Sequence, residues 1–149
     1  PGTIREGADF LLIGGKLYVG ISRRTKAPIF TGYPVACVER RGARPPRGPE
    51  HLMGGHRKLG NVVYRLEGTA RLDHNFATVT VPLTSEEFST RPLNWIALGQ
   101  KCVLLPEEAE HVMAPTLRKS DVKVITTPCS ELLKMGGGPA CLTLPLVRR

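Results

Sequence analysis

The stretch FLLIGGKLYVGI, residues 10–21, holds two short apolar runs separated by the glycine pair Gly14 and Gly15. Both glycines accept the positive φ angles that a two-residue β-hairpin turn requires. The stretch therefore predicts two antiparallel strands, and the apolar run at Pro34–Val38 predicts a third strand after them.

The same pattern returns in WIALGQKCVLL at Trp95–Leu105, where Gly99 stands 85 positions after Gly14. Val122–Thr126 then repeats the later strand. Two copies of one hairpin-plus-strand unit indicate internal repetition of a small module, and such modules bury a core only by packing on their neighbours.

We predict helices and further strands in the rest of the chain. Glu107–Lys119 predicts a helix because acidic residues open it and basic residues close it, and Pro115 is expected to limit its length. A short helix is predicted at Ser130–Lys134, capped by Ser130 and ended by the glycines at 136–138. Further strands are predicted at Asn61–Leu66, Ala77–Val81 and Cys141–Leu144. The fold class that follows is α/β.

Composition and charge fit a single globular domain over residues 1–149, with 41% hydrophobic residues. The formal net charge is +8, and half of it lies between Glu39 and Lys58, where six basic residues accompany two acidic ones. We interpret residues 39–60, which are rich in proline and glycine, as an irregular basic loop. Nucleic-acid binding through this loop is the weaker hypothesis, since no Phe, Tyr or Trp alternates with its arginines to stack on bases.

Cysteine usage and hydropathy indicate the setting of the protein. The apolar runs are shorter than the roughly 20 residues that a membrane helix needs. The four cysteines, Cys37, Cys102, Cys129 and Cys141, lack the close spacing of a disulfide framework or a zinc site. We therefore expect no metal site and a reducing, cytoplasmic location. Because the chain begins with Pro1 instead of Met, we also expect it to be part of a longer protein.

Three segments carry side chains suited to nucleophilic catalysis: Glu6–Asp9 offers two carboxylates, Glu50–His56 two histidines, and Gly136–Cys141 a cysteine after a glycine run. A thiolate can attack, an imidazole can move a proton, and a carboxylate can orient a partner. Plain structural roles are the alternative, namely a solvated turn for the carboxylates, surface positions for the histidines and a small buried hydrophobe for each cysteine.

Taken in order, these segments resemble the guanidino-group-modifying enzymes, also called the pentein or amidinotransferase superfamily. Within it the likeness is nearest to dimethylarginine dimethylaminohydrolase or arginine deiminase, and it covers only the later part of those enzymes. The matching motifs are Glu6–Asp9, Gly20–Thr25, His51-Leu52, Asn94–Ile96, Ser130–Leu132 and the glycine-rich run that ends at Cys141. The resemblance implies an α/β-propeller of repeated small αβ modules, of which this chain holds about three of five.

The resemblance also implies a role for individual residues. Cys141 matches the nucleophile, His51 the general acid/base, and Glu6 the catalytic acid that holds the guanidinium. Arg24 matches the arginine that contacts the carboxylate of the substrate, and Asp9 is a further substrate-binding residue. No metal and no cofactor is implied.

Two departures from the family leave alternatives open. The surroundings of His51 are otherwise unlike the family, so His56 and His74 remain alternatives for the acid/base. Gly136 stands where the family often has an acidic residue, which removes one partner for the guanidinium.

The implied activity is hydrolysis of the guanidinium of arginine or a methylated arginine through a covalent amidino intermediate on Cys141, giving citrulline plus an amine or ammonia. The expected partner is thus a small guanidino substrate and not a membrane, and either another chain completes the propeller or the protein is a homo-oligomer. The alternatives are an amidinotransferase and a catalytically silent or truncated relative that acts as an interaction protein.

Overall fold

The computed structural model describes residues 10–21, 35–39, 55–69, 71–84 and 86–143. Within these ranges the chain forms both strands and helices, which confirms the α/β class. The strands are β1 (Phe10–Ile13), β2 (Lys16–Ile21), β3 (Val35–Glu39), β4 (His56–Leu59), β5 (Val62–Leu66), β6 (Ala77–Val81), β7 (Ile96–Gly99), β8 (Cys102–Pro106) and β9 (Lys123–Thr127). The α-helices are α1 (Glu110–Lys119) and α2 (Ser130–Lys134), with 3₁₀ turns at Glu87–Thr90, Glu107–Ala109 and Pro139–Leu142. None of these helices is long and apolar enough to cross a bilayer.

Two copies of the predicted hairpin unit are present. β1 and β2 pair antiparallel with Ile13 opposite Lys16, and β3 adds parallel to β2. β7, β8 and β9 repeat this arrangement, first antiparallel and then parallel. Gly14 and Gly15 have φ angles of 58° and 75°, as the turn between β1 and β2 requires. The hairpins, the strands that follow them and the internal repetition are confirmed.

The second sheet, β4-β5-β6, contradicts part of the loop predicted at 39–60. Its first strand covers His56–Leu59 and pairs antiparallel with β5. Gly60, at a φ of 54°, lies in the turn between them. The loop prediction is wrong here because pairing with a neighbour, and not local preference, decides the conformation of a short polar segment. Residues 40–54 lie outside the described ranges.

The chain divides into two compact units, Pro1–Thr80 and Val81–Arg149. The described strands of the first unit form the sheets β1-β2-β3 and β4-β5-β6, and the second contains β7-β8-β9. None of these described sheets closes on itself. In the first unit a buried cluster is formed by Ile13, Tyr18 and Val63, with Leu72 and Phe76 packed against it. That residues 1–149 are one part of a single propeller domain stays a prediction.

In the second unit, helix α1 packs on β9 and directs Met113, Ala114 and Leu117 into the core. This spacing places all three on one face of a helix. Trp95, immediately before β7, is 0% exposed, as expected of a core residue. Pro115 lies within α1 at an exposed position, and the helix continues past it to the predicted end.

Two predictions near the end of the described chain are wrong. Cys141 does not begin a strand, because Pro139–Leu142 forms a 3₁₀ turn in which the Cys141 N–H donates to the Gly138 carbonyl at 3.0 Å. Proline at the first position of this turn has no N–H for a strand ladder. Ser130 does not cap α2, since the N-cap position is Cys129 and its side chain makes no capping hydrogen bond.

Candidate active site

The glycine-rich segment after α2 places Cys141 on an exposed turn. Gly136 has a φ of 79°, a value that favours glycine, and it reverses the chain at the end of the helix. The N–H groups of Gly136 and Gly137 donate to the carbonyls of Leu133 and Leu132 at 2.9 and 3.0 Å. The last carbonyl groups of α2 therefore accept hydrogen bonds from the backbone that follows the helix. The thiol of Cys141 is exposed.

The side-chain amide of Asn94 holds the Cys141 turn at two points. Asn94 Nδ2 donates to Cys141 Sγ at 2.9 Å, and Asn94 Oδ1 accepts the Ala140 N–H at 2.9 Å. Because a backbone N–H needs an acceptor, the second bond fixes which end of the amide faces the sulfur. Asn94 is itself anchored by the fully buried Trp95 beside it and by donation of its N–H to the Arg91 carbonyl at 2.8 Å.

Gly138 is required here by space and not by its φ angle. Its φ is −164°, which is ordinary extended backbone. A Cβ atom at this position would lie 2.7 Å from Cγ and 3.0 Å from both Cβ and Oδ1 of Asn94. Any other residue at 138 would therefore displace the amide that contacts the sulfur.

Arg91 lies beside the position where the family resemblance expects an acidic residue. A Cβ built on Gly136 would be 3.8 Å from Arg91 Nη2. An acidic side chain at 136 would thus meet a guanidinium of this chain. With glycine at position 136, Arg91 forms no ion pair with a carboxylate of the described residues.

Cys129 and Cys102 have structural positions. Cys129 is 3% exposed, and its N–H donates to both Glu108 carboxylate oxygens at 3.0 and 3.2 Å. Burial, and then the charge of Glu108, raises the pKa of the Cys129 thiol above its ordinary value, so the neutral thiol is favoured. Cys102 is half-buried within β8. Among the cysteines whose side chains are described, Cys141 is the exposed one.

The structure describes only one of the five predicted site residues. Glu6, Asp9, Arg24 and His51 lie outside the described ranges, and Cys141 lies within them. Their convergence on one site therefore stays a prediction. Within the described ranges, no group of three His, Cys, Asp or Glu residues is placed to hold a metal ion.

Both alternative histidines belong to the first unit. His56, on β4, is 2% exposed. His74 is half-buried, and its Nδ1 accepts the Phe76 N–H at 3.2 Å, so the neutral ring carries its proton on Nε2. A role of His56 or His74 as the acid/base stays a prediction.

The sequence alone does not reveal that Asn94 contacts the Cys141 turn. Asn94 belongs to one of the motifs that carry the family resemblance, but a polar residue before a buried tryptophan has many uses. Its partners lie 46 and 47 positions further along the chain. Only the fold shows that the amide and the thiol meet.

The curated proteins that are similar in sequence to this chain include a dimethylarginine dimethylaminohydrolase and an arginine deiminase. No protein-family model matches the sequence. The N(G),N(G)-dimethylarginine dimethylaminohydrolase of Pseudomonas aeruginosa is 26% identical across 97% of this chain and 56% of its own length. An arginine deiminase of Latilactobacillus sakei is 43% identical over 32% of this chain and 12% of its own length. The chain thus spans about half the length of the relative that it matches almost throughout.

Solved structures show the same fold. An amidinotransferase from the saxitoxin biosynthetic pathway of Microseira wollei has a TM-score of 0.75 at 19% identity, over 95% of this chain and 47% of its own. The dimethylarginine dimethylaminohydrolase of P. aeruginosa, as a mutant complexed with citrulline, has a TM-score of 0.67 at 21% identity, over 93% of this chain and 54% of its own. In sequence and in fold, the chain is therefore similar to the guanidino-group-modifying enzymes, with a dimethylarginine dimethylaminohydrolase among its relatives.

Proposed function

We propose that this chain forms the cysteine-bearing part of a hydrolase that acts on the guanidinium of arginine or a methylated arginine and releases citrulline. The observation that carries the proposal is the exposed Cys141 thiol, held by Asn94 Nδ2 at 2.9 Å at the end of a glycine-rich turn. Nucleophilic thiols occupy such partly exposed, hydrogen-bonded positions, whereas structural cysteines are buried as Cys129 is.

In the proposed reaction the thiolate of Cys141 attacks the central guanidinium carbon and forms a C–S bond. The tetrahedral adduct breaks a C–N bond, and the leaving amine takes a proton from His51. An S-alkylthiouronium remains on the sulfur. Water activated by His51 then attacks the same carbon, the C–S bond breaks, and the ureido product leaves with the thiolate restored.

The other predicted residues have binding roles in this proposal. Glu6 holds the cationic guanidinium by charge-assisted hydrogen bonds, and Asp9 adds a second carboxylate. Arg24 pairs with the carboxylate of the amino-acid substrate. We also propose the five-module propeller of the family, with the modules that this chain lacks supplied by the rest of a longer protein or by a second chain. A reducing cytoplasm would keep the catalytic thiol free.

The test is citrulline formation from arginine and from dimethylarginine by the protein that contains this chain. Cys141→Ser should abolish turnover, because a serine hydroxyl is far less ionised than a thiol at neutral pH. Cys102→Ser, which changes a half-buried cysteine, is the matched control and should retain activity. Citrulline production by the Cys141→Ser protein at the normal rate would refute the proposed mechanism.

An amidinotransferase is the second candidate, favoured by the TM-score of 0.75 to the Microseira wollei amidinotransferase. In that reaction an amine, and not water, removes the amidino group from Cys141. Incubation with arginine and glycine separates the two, since a transferase forms an amidinated glycine and ornithine, and a hydrolase forms citrulline. A protein that does neither, although its complete propeller is present, would be the silent relative.

A further inference from the structure

A cavity of about 250 Å³ opens in the first unit beside the sheet β4-β5-β6. Residues of all three strands and of the connection between β5 and β6 line the cavity, and two of these residues are apolar. Its polar lining residues are His56, Arg65, Arg71, His74, Thr78 and Thr80.

The cavity lies where the second sheet differs from the third. Between β8 and β9 the chain forms α1, which packs on β9 and buries three side chains. Between β5 and β6 the described part of the connection, 67–69 and 71–76, contains no helix. A helix would fill this side of a sheet with apolar side chains, whereas here the wall is mostly polar.

Arg65 is the half-buried cation of the cavity wall. Its Nη1 donates to the Thr69 carbonyl at 2.6 Å, and its Nη2 donates to Thr80 Oγ1 at 3.1 Å. Both acceptors are neutral. These two bonds hold the guanidinium in place without neutralising its charge, and removing a charge from water without a counter-charge is unfavourable.

Negative charge is absent from the described lining of the cavity. None of the lining residues is acidic, and neither Arg65 nor Arg71 pairs with a carboxylate among the described residues. Asp73, next to His74 in sequence, has a 99% exposed side chain that lies 3.8 Å from Lys16 Nζ. An anion in the cavity would therefore supply the charge that the described protein does not.

We propose that this cavity binds a small molecule through an oxyanion group, a phosphate or a carboxylate. Two guanidiniums, the Nε2–H of His74 and the hydroxyl of Thr78 are the hydrogen bond donors that such a group requires. The proposed reaction of Cys141 uses none of the lining residues of this cavity, because His51 is its acid/base.

The test is calorimetric titration of the protein with inorganic phosphate and, separately, with citrate at low ionic strength. Arg71→Gln removes an exposed guanidinium and should weaken binding by about tenfold, since a hydrogen bond to a charged group is lost. Arg118→Gln makes the same charge change at a residue that pairs with Glu110 in the second unit, and it should bind as the unaltered protein does. Preference for phosphate over citrate, or the reverse, identifies the oxyanion.

A second variant separates the site from the catalytic proposal and from folding. Thr78→Val keeps the shape of an exposed strand residue and should weaken binding by about threefold through loss of one hydroxyl. Cys141→Ser should bind the anion unchanged, whatever its effect on turnover. No binding of either anion by the unaltered protein, or equal weakening by Arg71→Gln and Arg118→Gln, would overturn the proposal.

Discussion

Two hydrogen bonds of the Asn94 side chain, one with Ala140 and one with Cys141, together orient the amide and position the thiol. The Ala140 N–H orients the amide, and the amide then directs its Nδ2 donor at the sulfur. A donor at 2.9 Å limits the positions that the thiol can occupy, and positioning of a nucleophile is a large part of its reactivity. Asn94 is therefore a positioning residue in the proposed mechanism.

Asn94→Asp tests this role, because aspartate keeps an oxygen for the Ala140 N–H and removes the N–H donor to sulfur. We expect alkylation of Cys141 by iodoacetamide to slow by about fivefold or more, and kcat to fall with little change in KM, because the thiolate loses a hydrogen bond donor and gains a negative charge beside it. The measurement is the rate of adduct formation at fixed pH by mass spectrometry. Asn61→Asp, in the turn before β5, is the matched control, and an equal effect of both changes would exclude a specific role for Asn94.

Gly138→Ala tests the space requirement. The added Cβ would lie 2.7 Å from Asn94 Cγ, so we expect a loss of about 1–3 kcal/mol in the free energy of unfolding, together with slower Cys141 alkylation. Gly137→Ala is the matched control, since its nearest atom would be 3.8 Å away, an ordinary contact. Urea denaturation of both variants measures the difference. Equal stability of the two would show that the turn has room at 138.

At the scale of single residues, the sequence indicates the thiol of Cys141 but not its hydrogen bond partner. A cysteine after three glycines is conspicuous because glycine runs are rare in packed elements. Asn94 has no such signal, since its contact with Cys141 joins residues 47 positions apart. The sequence motif around Asn94 supported a family and did not indicate a function for the amide.

At the scale of elements, the prediction succeeded where turn chemistry and local pattern agree. The glycine pair between β1 and β2 sets both the turn and the strands on either side. The prediction failed for β4 and for the strand expected at Cys141–Leu144, of which 141–143 are described. The conformation of β4, a polar strand of four residues, is determined by the strand with which it pairs. The apolar run after Pro139 forms a turn instead of a strand, and Asn94, which is not part of that turn, stabilises it.

The start of helix α2 gives a stability prediction that depends on pH. The folded pKa of Cys129 is raised, so its contribution to stability is present below the unfolded pKa, about 8.5, and is lost as the pH rises through the folded value. We expect the free energy of unfolding to decline above pH of about 8.5, and to decline less steeply in Cys129→Ala. Urea denaturation across this pH range measures the slopes. Identical slopes would contradict the assigned burial of the thiol.

At the scale of the whole molecule, net charge and chain length differ in how well they indicate the function. The charge of +8 does not suit a site for a cationic guanidinium, and half of it lies between Glu39 and Lys58, mostly outside the described residues. Length is more informative, because the chain spans 56% of the P. aeruginosa relative. Repetition of hairpin units is predictable from glycine spacing, whereas the propeller that we propose would depend on contacts between modules, which no local pattern encodes.

Covalent trapping tests most directly whether Cys141 is the nucleophile toward a guanidinium carbon. The protein is treated with a haloacetamidine, whose cationic amidine imitates the substrate, and the adduct is located by mass spectrometry of peptides. We predict one adduct, on Cys141, whose formation is slowed by arginine or citrulline and is absent in Cys141→Ser. Labelling of Cys102 or Cys129 at the same rate, or labelling of Cys141 that neither compound slows, would contradict the account.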